Sequence, residues 1–154
     1  AFLGAERVHL IRRLGLMRFR LGPVENLDAE ELAIFFAACA KVAEARLPRW
    51  DLMAAEARIE DRAKLLGRAL DRKQRKHLAS LGAEFALLPD PREWQLAVHE
   101  GMARLALLVT GDLQLIMASL GLDVRRSPLP QRLIQFSISA EFHALRRELG
   151  MKGT

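Results

Sequence analysis

Apolar residues recur at steps of three and four through almost every segment of the chain, which is the spacing of one helix face rather than the alternation of a strand. From Glu6 to Leu21 the apolar positions are Val8, Leu10, Ile11, Leu14, Met17 and Leu21, with arginines between them, and Gly22-Pro23 ends the helix. Asp28 followed by Glu31 opens a second helix to about Ala45. Its broad apolar face of Leu32, Phe35, Phe36, Cys39 and Val42 marks a central core helix. The linker RLPRW carries a proline stop, and Asp51 is placed to cap a third helix to about Leu70. Asp71 to Ser80 reads as a short basic helix or turn anchored by Leu78 and Leu81 and closed by Gly82.

The strongest helix start is Asp90-Pro91 with Glu93, a cap followed by proline at the first helical position. The long helix it opens runs through Trp94, Val98, Met102, Leu105 and Leu108 to a break at Thr110-Gly111-Asp112, where Asp112 caps a shorter helix to Leu120. After the loop DVRRSPLP, Gln131 to Leu149 is helical again, with Ser139 and Glu141 placed to restart it as a second short helix. The expectation is an all-α chain, a compact bundle of six or seven helices in a single domain over 1–154. No repeat of fixed period makes the chain itself a solenoid.

Composition fits that picture. A chain of 154 residues, 51% hydrophobic and 28% charged, is the size of one globular domain and buries a core without a metal or disulfide staple. The single cysteine, Cys39, excludes an internal disulfide and fits a reducing, cytoplasmic compartment. Lys41, Glu44 and Asp112 interrupt the longest apolar runs before they reach the length of a membrane span. The first residue is Ala1, and the expectation is a piece of a longer protein. Net charge is +5, but the basic residues are interleaved with 19 acids over every helix, which describes a solvated surface better than a dedicated basic site.

Helical zinc hydrolases carry HExxH, whose spacing sets two imidazoles on one helix face with a glutamate to polarise the metal-bound water. None of His9, His77, His99 and His143 lies one turn from another. Nevertheless His99 and the following EGMARLALLVTGDLQLIMASL resemble the segment that supplies the third zinc ligand in gluzincin metallopeptidases of the CAAX-prenyl-protease and heat-shock-protease type. Arg104, Leu107, Leu108, Gly111, Asp112 and Leu113 match that pattern, while His99, with Glu100 beside it, stands at the metal-binding glutamate and Ala103 at an aspartate. The first helix, LIRRLGLMRFRLG, resembles the HExxH segment of the same family. Leu14 and Gly15 match, but Arg12 and Arg13 occupy the first histidine and the glutamate, and Leu16 the second histidine. A guanidinium repels a divalent cation and an alkyl chain offers no lone pair.

With the closing SxSxEFxxLRRELG of Ser137 to Gly150, the chain is similar to a helical domain found after tetratricopeptide repeats in large bacterial proteins, notably of myxobacteria. The resemblance implies a metallopeptidase descendant without enzyme activity, metal or cofactor, kept as a scaffold or interaction module for a protein partner or for flanking parts of its own chain. Tetratricopeptide periodicity is expected upstream of Ala1.

Three readings compete with it. Residual metal chemistry at His99 and Glu100 lacks ligands. Arg12 and Arg13 have the geometry to bind a carboxylate or phosphate in the old cleft, although a charged stripe ordinarily faces water. The segment from Arg72 to His77, with Arg72, Lys73, Arg75 and Lys76, is the alternative site, for nucleic acid or an acidic partner, but no aromatic residue is interleaved to stack bases. Trp50 and Trp94, each near a helix start, are expected to pack rather than to serve as exposed anchors.

Overall fold

The computed structural model describes residues 4–22, 27–46, 50, 52, 55–123, 125 and 127–151. They form an all-α chain with no strand among the described residues. The helices are α1 (Gly4–Arg18), α2 (Ala29–Val42), α3 (Glu56–Ala69), α4 (Arg72–Ser80), α5 (Gly82–Phe85), α6 (Pro91–Thr110), α7 (Leu113–Ser119), α8 (Leu129–Ser137) and α9 (Ala140–Glu148). These nine among the described residues exceed the six or seven expected because α5 is a four-residue turn and Ser139 does restart the last segment. The stops assigned to Pro23 and Pro48 and the cap assigned to Asp51 lie outside the described residues.

Where a cap was legible the start follows it. Asp28 accepts from the Glu31 N–H at 2.8 Å, Asp112 from the Leu115 N–H at 2.8 Å and Ser139 from the Phe142 N–H at 3.1 Å. At α6, Asp90 accepts from the Arg92 N–H at 2.8 Å. The ends differ more. α1 stops at Arg18 because Arg20 turns left-handed (φ 58°), letting the Leu21 N–H reach the Leu16 carbonyl at 2.8 Å. Glu44 (φ 53°) closes α2 in the same way, with the Ala45 N–H on the Ala40 carbonyl at 2.8 Å.

The chain divides into two compact units, 1–23 with 96–154 (unit 1) and 24–95 (unit 2), and the division falls inside α6 between Gln95 and Leu96. Unit 2 is built on α2. One side of that helix packs Ile34 and Ala37 against Ala55 and Ile59, and another packs Cys39 and Ala40 against Phe85. Four alanines of α2, at 33, 37, 38 and 40, are buried, so neighbouring backbones approach closely. Phe36 joins both tryptophans, with centroids 6.3 Å from Trp50 and 5.5 Å from Trp94, so these rings pack as expected.

Unit 1 closes a separate core of Val8, Ala103, Ala106, Leu107, Ile116, Leu133, Phe136 and Phe142, drawn from α1, α6, α7, α8 and α9. At about 25 cal/mol per Å² of apolar surface removed from water, such a cluster is the main favourable contribution to that unit.

Candidate functional site

The candidate site is the face of unit 1 where α1 meets the middle of α6. Gly15 sets the approach: a Cβ there would lie 2.7 Å from the Met102 sulfur and 2.7 Å from Leu105 Cδ2. A bare backbone at this point lets α1 lie close on α6, and it fixes the register one turn earlier. There Arg12, half-buried, directs Nη2 to His99 Nδ1 at 3.4 Å. The guanidinium has only donors, so in this contact His99 Nδ1 is the acceptor. Leu16, one turn beyond Arg12, is 3% exposed and fills the position with alkyl surface. Arg13 is rotated by a helical step and exposed.

Beside this contact lies a second polar group. Glu100, 13% exposed, accepts from Arg104 Nη2 at 2.5 Å on its own helix and from Arg132 Nη1 of α8 at 2.8 Å. The Arg104 guanidinium also sits 4.9 Å from the centroid of Phe136. Ala103 is wholly buried in the core. Three arginines thus converge on one imidazole and one carboxylate, an environment that favours an anion over a divalent cation. Among the described residues no three His, Cys, Asp or Glu side chains are grouped as a metal ion would require.

Compared with family models, with curated proteins and with solved structures, the chain has no match.

The alternative site is elsewhere. Arg72, Lys73, Arg75 and Lys76 lie on α4 in unit 2, all exposed, and among the described residues none of them is in an ion pair. Their helix is held by a capping box, in which Asp71 accepts from the Gln74 N–H at 2.7 Å and Gln74 Oε1 from the Asp71 N–H at 2.9 Å. The Asp-x-x-Gln spacing was present in the sequence to be found. Two cations in the first turn oppose the helix dipole, a cost that an anionic partner would offset. Also in unit 2, a cavity of about 230 Å³ has a largely apolar lining that includes Phe35, Cys39, Leu78, Phe85 and Leu88, with Glu84 the one charged residue in it. Burial pushes the Cys39 thiol up from 9.0 to about 11, which keeps it protonated and unreactive near neutral pH.

Sequence reasoning missed Arg146. Its side chain, 8% exposed, donates from Nη1 to the Leu108 carbonyl at 2.7 Å and lies over the Phe142 ring at 5.7 Å. Two carbonyls of the last turn of α6 are thereby satisfied: the Gly111 N–H donates to Leu107 and Arg146 to Leu108, while Thr110 Oγ1 donates to the Ala106 carbonyl. Gly111 is required twice, by its φ of 70° and because a Cβ would meet the Arg146 guanidinium at 2.7 Å. A pairing over 38 residues leaves no local trace in the sequence.

Proposed function

We propose that this chain is a non-catalytic helical module of a larger protein, a pseudo-metallopeptidase kept for scaffolding or protein interaction. One observation carries the reading: Arg12 lies against His99 while Leu16 is buried one turn further on, so positions where the resemblance expects metal ligands meet as a guanidinium, an imidazole and an alkyl chain. Such a set fills a cleft and packs two helices together. It supplies neither the lone pairs that hold zinc nor a carboxylate free to take a proton from water, since Glu100 is engaged by two arginines. Zinc analysis of the purified chain after dialysis tests the reading. Zinc well below one equivalent is expected, and stoichiometric zinc would overturn it.

A second reading rests on the four exposed cations of α4, which favour an anionic partner, nucleic acid or an acidic protein face. Binding of duplex or single-stranded nucleic acid through them would show a steep decline with salt, flattened in Lys73→Gln and Lys76→Gln. Absence of binding at low salt disposes of the nucleic-acid form of that reading.

A further inference from the structure

Helix α1 is apolar on two opposite sides. Val8, Gly15 and Leu16 are buried in unit 1, whereas Leu10 (45% exposed), Leu14 (55%) and Met17 (73%) follow one another at steps of four and three along the outer side. At 100° per residue these three fall within one narrow stripe. Arg13 borders the stripe on one side and Arg7 and Arg18 on the other, with Arg20 at its end. All four are exposed, and among the described residues none is in an ion pair. Glu6, in the first turn, is the single acid of α1.

The geometry points to a peripheral docking surface for an anionic lipid bilayer, formed by the outer side of α1. Leu10, Leu14 and Met17 enter the acyl boundary, and the flanking guanidiniums pair with lipid phosphates. The chemistry of the patch selects this occupant. Its centre has only alkyl and thioether groups, and its border is net cationic, with Arg7 and Arg18 on one side and Arg13 beside Glu6 on the other, the mixture an interfacial helix uses on anionic lipid. Arginine pairs with phosphate through two parallel N–H groups. A second copy is disfavoured, because the same cationic rims would face each other. No helix of the described residues is long and apolar enough to cross a membrane, so attachment is by one side of a helix that the core holds from the other.

The test is co-sedimentation of the full chain with vesicles of phosphatidylcholine alone and of phosphatidylcholine with about one-third phosphatidylglycerol. Binding is expected only to the anionic vesicles and weakens as salt is raised. Leu14→Glu and Arg13→Glu should each weaken it by about tenfold or more, with unchanged circular dichroism and melting. Leu65→Glu, on exposed α3 of unit 2, should leave it unaltered. Equal or absent binding to both vesicles, or indifference to both α1 variants, overturns the proposal. So does binding to polyglutamate that exceeds binding to the vesicles, which would assign the surface to an acidic protein.

Discussion

The two units place their charges differently. In unit 2 the ion pairs lie at the surface, and all but Lys64 with Asp61, within α3, join α2 to α3: Lys41 with Glu60, Arg58 with Glu30 and Glu31, and Arg62 with Glu31. The cations there are 42–65% exposed, and the interior is alanine, isoleucine and aromatic rings. Unit 1 draws its charges inward, with Glu100 13% exposed and Arg146 8%. It also leaves more apolar surface uncovered, since among the described residues only Leu65 and Leu87 of the exposed large apolar side chains belong to unit 2. Surface pairs contribute about 0–1 kcal/mol each, whereas removing one partner of a buried polar contact leaves the other desolvated and costs several times more. Buried polar contacts therefore specify unit 1, and close packing of small residues specifies unit 2.

The sharpest way to break that contrast is Arg146→Met, which keeps the volume but removes the donor to Leu108. A loss of about 3 kcal/mol is expected, from the uncapped carbonyl and the lost charge-assisted bond. Arg62→Met, the matching change at the surface of unit 2, should cost at most about 1 kcal/mol. Equal costs by urea denaturation would remove the distinction between the units.

Cys39 probes the unit 2 interior. Its thiol is held up to about 11 by burial, so the folded state resists ionisation that the unfolded chain undergoes near 9.0. The contribution to stability is complete below about pH 9 and is lost as pH rises through about 11. Alkylation of the native protein near pH 8 should run about a hundredfold slower than that of an ordinary thiol and should speed up toward pH 11. An ordinary rate at pH 8 would mean that the core around Phe85 opens readily.

A comparison of carboxylates is finer. Glu100→Gln leaves Arg104 and Arg132 facing a neutral amide and should cost about 2 kcal/mol, while Glu31→Gln, a quarter exposed and also engaged by two arginines, should cost about 1 kcal/mol. The two values together measure how much burial amplifies the same kind of triad. A reversed order in thermal melting would mean that the Glu100 contacts hold less than their burial implies.

Helix class and most starts were legible because their causes are local. Asp28, Asp112 and Ser139 each act three residues away, and the apolar spacing needs nothing outside its own helix. The contacts that organise unit 1 were not, because Arg146 to Leu108, Glu100 to Arg132 and Arg12 to His99 span 38, 32 and 87 residues. Only the resemblance sets Arg12 beside His99, and periodicity assigns Arg12 and Arg13 together to the solvated stripe. A single helical step separates the two fates, half-buried for Arg12 and exposed for Arg13. The division between the units was invisible for a related reason: it falls inside α6, where the apolar pattern continues without a break.

Helix ends were the least legible local feature, and they supply the smallest test. Gly121 and Gly150 close α7 and α9 in the left-handed region that glycine adopts freely, whereas Arg20 and Glu44 close α1 and α2 with side chains that favour it poorly. Those two stops therefore carry no glycine signal. Relief of the left-handed strain exceeds the extra backbone entropy glycine brings to the unfolded chain, so Glu44→Gly should stabilise the protein by about 0.5 kcal/mol. Arg20→Gly should do the same for α1. A gain at Glu44 without one at Arg20, read from urea midpoints, would show that the end of α1 is held by the packing of Leu16 and Gly15 rather than by its cap. That result would extend to a helix terminus the dependence of unit 1 on long-range contacts.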